Sequence, residues 1–304
     1  MINFALRRLS TFPLVLLAAN FIGFAFAFYF EPVVSSSNPY ASGDFVLPPL
    51  VPEYFGYVSR FADLDFGTTF NGEPVLTTIV RLSLNSLALV VIALLLSIVL
   101  GIFLGRLAVQ RENTKVSAWL TVLSTMGLAF PGFYIAILLI TLFLLITIYG
   151  PGTIIPFQGF GWDAHLILPV LVLMVQPTVK IAQVTGTTLV DELQKPYVKA
   201  SIGLGHSFRS MKNRFAFRNV IAPILQAIAY SARLMVAELI VIERLFNWPG
   251  LGKFIGSVLR PATAFSEAVV LIFLFIDFTT LMIARMVDPR LRMDVHAEAI
   301  GGAK

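Results

Sequence analysis

The stretch LSLNSLALVVIALLLSIVLGIFLG, residues 82–105, carries no charged side chain over 24 residues. Two other stretches share this property, residues 9–30 over 22 positions and residues 116–162 over 47 positions. A helix needs about 20 apolar residues to cross the bilayer core, where backbone groups can be satisfied only inside a helix or a closed barrel. Barrel strands alternate apolar and polar residues, and these stretches do not. The sequence therefore predicts an all-α, polytopic membrane protein.

The composition supports the same class. Hydrophobic residues make up 57% of the 304 residues and charged residues 13%, whereas about 25% are charged in an ordinary soluble domain. The sequence has no cysteine and only three scattered histidines, so we expect no metal site and no cysteine nucleophile. The first apolar run could be a cleaved signal peptide, but its 22 residues exceed the usual signal core of about 7–15. We expect an uncleaved helix.

About six transmembrane helices follow from the apolar runs, and we place them at residues 9–30, 82–105, 117–148, 166–184, 220–243 and 268–287. The third contains Pro131-Gly132, which predicts a kink inside the span. The chain then divides into four parts. Residues 1–30 are an N-terminal tail with the first helix, 31–81 an extracytoplasmic segment, 82–292 a core transmembrane domain with a long loop at 191–222, and 293–304 a cytoplasmic tail.

Lysine and arginine are distributed unevenly between the segments that join these spans. One alternate set of segments holds 15 of them: 1–8, 106–115, 191–222 and 285–304. The other set holds 5: 31–81, 149–165 and 244–267. Because loops rich in lysine and arginine stay in the cytoplasm, we expect both termini to be cytoplasmic, which an even number of spans also requires.

The loop at 191–222 is the longest of the basic segments and contains YVKASIGLG at 197–205. Six basic residues in this loop are compatible with a surface that rests on lipid headgroups. The alternative is a short helix, ended by Gly205, that docks into another protein.

The same loop resembles the coupling segment of ATP-binding-cassette (ABC) importer permeases of the dipeptide/oligopeptide type. The resemblance includes RN at 218–219 and Pro223, and it continues over most of residues 60–292. It rests on further stretches in the family's order: DFG at 65–67, PV at 74–75, FPGF at 130–133, Glu243 followed by FNWPGLG at 246–252, and DPRLR at 288–292. The FNWPGLG and DPRLR stretches, at the family's spacing, are the strongest part of the resemblance.

The resemblance implies an ABC type I importer permease fold in a bacterial-type inner membrane. It implies a transporter subunit rather than an enzyme, which works by alternating access with peptide as the expected substrate. The expected partners are a second homologous permease, two ATPase subunits, an extracytoplasmic substrate-binding protein and the lipid bilayer, with no nucleic acid. We expect no cofactor on this chain, since it lacks a phosphate-binding Gly-x-x-x-x-Gly-Lys-Ser/Thr loop; ATP and Mg would be used by the ATPase subunits.

Two groups of site residues follow from the resemblance. The residues expected to couple to the ATPase are Tyr197, Val198, Ala200, Ser201, Gly203 and Gly205. The residues expected to form an external gate or turn are Glu243, Trp248, Pro249 and Gly250. Trp248 could instead be an aromatic anchor at the membrane interface.

Four ionisable residues within or near the spans are candidates for the translocation path: Lys180, Arg233, Glu238 and Asp277. A charge at the bilayer centre costs about 2.5 kcal/mol or more, so such residues usually face a pathway or one another. Pairing between helices, for example of Arg233 with Asp277, and lining of a substrate cavity both remain open. An ion-coupled secondary transporter and a membrane scaffold are the alternatives to an ABC permease.

Overall fold

A computed structural model of the protein describes residues 6, 8–36, 48–62, 65–69, 72–110, 116–255 and 262–287. Within those ranges the chain is helical, and its only β contacts are two isolated bridges. The principal helices are α1 (Phe12–Ser36), α2 (Leu50–Ala62), α3 (Val75–Leu107), α4 (Ala118–Ala129), α5 (Gly132–Tyr149), α6 (Ile167–Leu193), α7 (Pro196–Gly203), α8 (Ile221–Leu245), α9 (Leu251–Ile255) and α10 (Ala262–Val287). The DPRLR stretch and the C-terminal tail lie outside the described residues.

Five helices in the described part of the chain are long and apolar enough to cross a membrane: α1, α3, α5, α6 and α8. The sixth predicted span corresponds to α10, which has 26 residues and a length of about 39 Å. The predicted all-α polytopic class is therefore confirmed. Helices α3 and α6 extend furthest beyond the predicted spans, since α3 begins at Val75 instead of residue 82 and α6 ends at Leu193 instead of residue 184.

The third predicted span is interrupted where the sequence predicted a kink. Helix α4 ends at Ala129 and α5 begins at Gly132, with Phe130 and Pro131 both extended. Proline has no backbone N–H to continue the helix, and it drives the residue before it out of the helical region. The result is two half-helices with a break between them.

The segment 31–81 contains a helix that the sequence analysis did not identify. Helix α2 packs on α1 through aromatic rings, with Tyr54 at 5.1 Å from Phe21 and Tyr57 at 5.2 Å from Phe24 between centroids. Its sequence LVPEYFGYVSRFA places apolar and polar residues on opposite faces, which is typical of a helix lying on an apolar surface.

The centre of the bundle is formed by α3, α6 and α8. Helices α3 and α6 approach so closely that a Cβ atom on Gly101 would lie 2.8 Å from Ile181, and one on Gly105 would lie 2.6 Å from the carbonyl oxygen of Ala182. Small residues allow such backbone contact between membrane helices, where dispersion and packing replace the hydrophobic effect. This packing fixes the ends of α6 and α8, which carry the candidate sites. We call the end of the bundle where α7 lies the basic end.

Candidate functional site

Helix α7 is the short helix predicted in the basic loop, and Gly205 ends it as expected. Pro196 occupies its first turn, where a missing N–H is harmless. After Gly203, the N–H of Gly205 donates to the carbonyl of Ile202 at 3.0 Å and that of His206 to Ser201 at 3.2 Å. This pattern is a Schellman motif, and it needs the left-handed φ of +97° that Gly205 adopts.

A hydrogen-bonded group fastens α7 to the rest of the basic end. The hydroxyl of Tyr197 donates to Glu192 Oε1 at 2.8 Å, and Asn219 Nδ2 donates to the same oxygen at 2.9 Å. The side chain of Val198 is buried in an apolar cluster beneath. Burial, together with the Glu192 acceptor, raises the pKa of Tyr197. The group ties α7 to the end of α6 and to the segment before α8.

The opposite face of α7 is open. Ala200, Gly203 and Gly205 are exposed, and Leu204 just after the helix is 84% exposed. A Cβ atom on either glycine would have no described atom within 4 Å. The predicted coupling residues thus divide in two: Tyr197 and Val198 hold the helix in place, and the small residues present a surface to which another protein can bind.

At the other end of the bundle, Glu243 organises the turn after α8. Its carboxylate accepts from Ser86 Oγ at 2.5 Å and from the backbone N–H groups of Gly252 at 2.7 Å and Lys253 at 3.2 Å. A side chain on Gly250 would collide with this carboxylate. The turn is therefore built around one buried acid, and its glycine is required for space.

Trp248 lies inside this turn and is fully buried. Its ring packs at 4.8 Å from Phe160 and 6.0 Å from Trp162, and its Nε1 donates to the carbonyl of Asn85 at 3.4 Å. Asn85 in turn donates from Nδ2 to the carbonyl of Pro249 at 2.8 Å. A buried ring cannot anchor the chain in lipid headgroups, so these contacts favour the tight turn over the interface anchor.

Two of the four charges in the spans form an ion pair. Arg233 Nη1 lies 2.8 Å from Asp277 Oδ1, and Arg8 Nη2 lies 2.7 Å from Asp277 Oδ2. The side chain of Asp277 is only 3% exposed. Each carboxylate oxygen thus has its own guanidinium. Of the two possibilities left open for Arg233 and Asp277, the structure has the pairing between α8 and α10, and it adds Arg8, which was not among the four candidates.

The other two charges, Lys180 and Glu238, line one cavity of about 270 Å³ between α6, α8 and the end of α4. Gly132 at the start of α5 donates its N–H to Glu238 Oε1 at 3.4 Å, and Gln176 Nε2 donates to the carbonyl of Phe130 at 2.8 Å. The cavity therefore opens beside the break between the half-helices. Its full lining is Leu128, Gln176, Pro177, Lys180, Tyr230, Ser231, Leu234, Met235 and Glu238.

Comparison with known proteins gives the family. Residues 97–293 match the family described as binding-protein-dependent transport system inner membrane component, over more than half of the 304 residues. The chain belongs to this family. Its relatives include the dipeptide transport system permease protein DppB of Lactococcus lactis subsp. cremoris, with 29% identity over 96% of this chain and 100% of the relative. The oligopeptide transport system permease protein AppB of Bacillus subtilis is 26% identical over 70% of each chain.

As an inner membrane component of this family, the chain is a transport subunit and not an enzyme. Membership also implies that it works with a substrate-binding protein and with ATPase subunits. The predicted ABC permease class is thus confirmed.

Sequence reasoning missed four side chains that hold the sites together: Arg8, Asn85, Ser86 and Glu192. For Arg8, Asn85 and Ser86 the available signal was a polar residue within or directly beside an apolar run. Glu192 lies in the basic loop, where no such signal marks it.

Proposed function

We propose that this chain is the permease subunit of an ATP-driven peptide importer. Two relatives that it matches along most of its length are named as dipeptide and oligopeptide transport permeases. The observation that carries the proposal is α7, a helix fastened to the transmembrane bundle on one face and open on the other.

Helix α7 is proposed to transmit the movement of the ATPase subunits to the spans. Glu192, Tyr197 and Asn219 connect it to α6 and to the segment that leads into α8. A force on the exposed face around Ala200 would therefore move both long helices together. Alternating access follows if this movement switches the bundle between openings on its two sides.

The cavity beside the break is the proposed contact with the substrate. It brings the Lys180 ammonium and the Glu238 carboxylate into one lining, and Ser231 Oγ has no hydrogen-bond partner among the described residues. One cation and one anion around a small volume suit a zwitterion, whose carboxylate and ammonium groups need opposite partners. We do not assign Arg233 and Asp277 to this contact, because they pair with each other and neither lines this cavity.

The orientation and the assembly complete the proposal. Both termini and the basic end face the cytoplasm, and residues 31–81 face the outside, on the strength of the 15-to-5 distribution of basic residues. A second permease and two ATPase subunits complete the transporter. ATP and Mg are used by those ATPase subunits, and no cofactor binds to this chain.

The test uses the assembled transporter in proteoliposomes with its binding protein and a labelled dipeptide. We expect Ala200→Glu to abolish uptake while the chain remains in the membrane, because a charge replaces a small residue on the docking face. Ala200→Ser keeps a small side chain at the same position and should retain most of the uptake. Wild-type uptake by Ala200→Glu would show that α7 does not dock on the ATPase.

A further inference from the structure

A group of three cations surrounds a groove at the basic end, and the described residues that line this groove lie outside α7. Arg106 lies in the last turn of α3, and Arg209 and Lys212 lie on the helical segment that follows α7. Together with Asn213 they line a groove of about 570 Å³. Among the described residues that line this groove, none is acidic. We refer to it as the cationic groove.

The three cations are held close together by the fold. Lys212 Nζ donates to the carbonyl oxygens of Arg106 at 3.2 Å and Val109 at 3.1 Å. These bonds supply a donor to carbonyl groups at the C-terminal end of α3. The guanidinium of Arg106 lies 4.6 Å from the centre of the Phe217 ring. Burial, followed by the charges of Arg106 and Arg209, lowers the pKa of Lys212. An anion placed in the groove would relieve this repulsion.

The apolar lining of the groove continues along the membrane-spanning part of α3. Val99, Phe103 and Leu107 recur at intervals of four residues, so they share one face of the helix. Their side chains are 66%, 59% and 57% exposed. The column is about 12 Å long and runs from the level of the cations into the hydrocarbon. Cations above an apolar column match a headgroup phosphate above an acyl chain.

We propose that the cationic groove binds an anionic phospholipid, with its phosphate among Arg106, Arg209 and Lys212 and an acyl chain along Val99, Phe103 and Leu107. The binding of anionic headgroups to basic pockets between helices at the cytoplasmic side of a membrane is governed by this charge complementarity. The two interpretations of the basic loop then apply to different parts of it, since α7 docks on a protein and the segment after it binds lipid.

The experiment measures retention of phosphatidylglycerol, against phosphatidylcholine with the same acyl chains, by native mass spectrometry of the full chain. We expect wild type to retain phosphatidylglycerol preferentially. Arg209→Gln should weaken this retention about five-fold, and Arg106→Gln with Arg209→Gln about 25-fold, since each basic residue near an anionic surface contributes about 1 kcal/mol. Arg214→Gln removes the same charge from the same loop outside the groove and should change retention less than two-fold.

Arg209 is exposed, so Arg209→Gln should fold even if the variant at Arg106 does not, and it decides the test by itself. Equal retention by wild type and Arg209→Gln, or an equal loss in Arg214→Gln, would overturn the proposal. If inorganic phosphate, at the same concentration as the lipid, displaced the lipid, the groove would be a site for free anions instead. Loss of the lipid on assembly with the ATPase subunits would assign the groove to that interface.

Discussion

The ion pairs at Asp277 lead to a prediction whose magnitude follows from the structure. Asp277→Asn keeps the shape of the side chain but removes the charge that two guanidinium groups share. Removing one partner of a buried ion pair costs about 3–5 kcal/mol. The guanidinium side chains of Arg8 and Arg233 are 42% and 36% exposed, so water can partly replace the carboxylate. We therefore expect a smaller loss, about 2–4 kcal/mol in the free energy of unfolding.

Arg233→Met should cost less than Asp277→Asn. Arg8 still neutralises the carboxylate in that variant, so the loss is that of one charged hydrogen bond, about 1.5–3 kcal/mol at most. The double variant should be more stable than the sum of the two losses predicts, by about 1–2 kcal/mol. That coupling exceeds the average of about 0.6 kcal/mol for hydrogen bonds between membrane helices, because both groups are charged.

The assay is a double-mutant cycle in which unfolding of the purified chain is followed in detergent. Peptide uptake by the same variants is measured in parallel with the assembled transporter in proteoliposomes. Lys180→Met combined with Asp277→Asn is the matched control, and its effects should add to within about 0.5 kcal/mol, since Lys180 lies in the other charged group. Strict additivity of Arg233→Met with Asp277→Asn would refute the pairing. Altered uptake at unchanged stability would return Arg233 to the translocation path.

Three further predictions concern packing, the external turn and orientation. Gly105→Leu should destabilise the protein by at least about 2 kcal/mol in thermal unfolding, because its side chain would enter the backbone of α6, whereas Gly203→Leu has open space and should cost less than about 1 kcal/mol. Ser86→Ala should cost about 1.5–3 kcal/mol by removing a donor to Glu243; an unchanged melting temperature would contradict that role. Ser36→Cys, in a chain without cysteine, should react with an impermeant thiol reagent from outside, and reaction only from the cytoplasmic side would reverse the proposed topology.

The spans and their breaks could be predicted from the sequence because they depend on local properties. The thickness of the bilayer sets the length of a charge-free run, as in residues 82–105. Proline in FPGF ends a helix wherever it occurs. Gly205 ends α7 because the left-handed conformation that it adopts favours glycine. Each of these features needs no knowledge of distant parts of the chain.

The contacts that hold the sites depend on residues far apart in the chain. Arg8 and Asp277 are separated by 269 positions, and Ser86 and Glu243 by 157. The spacing of apolar and polar residues along one helix gives no information about which distant residues will pair. Arg233 and Glu238 lie five residues apart on α8, a spacing at which two side chains of one helix do not face each other, and the structure places them in different groups. Helix α2 was missed because its polar residues outweighed an amphipathic pattern that becomes clear only beside α1.

The central claim is that ATP hydrolysis in partner subunits moves peptides through this chain, and transport by the complete system in proteoliposomes tests it most directly. ATP is supplied on the cytoplasmic side, and accumulation of a labelled dipeptide is followed with and without the binding protein and a protonophore. We predict accumulation that requires both ATP and the binding protein and is unaffected by the protonophore. Accumulation driven by a proton gradient in the absence of ATP would contradict the account and identify a secondary transporter.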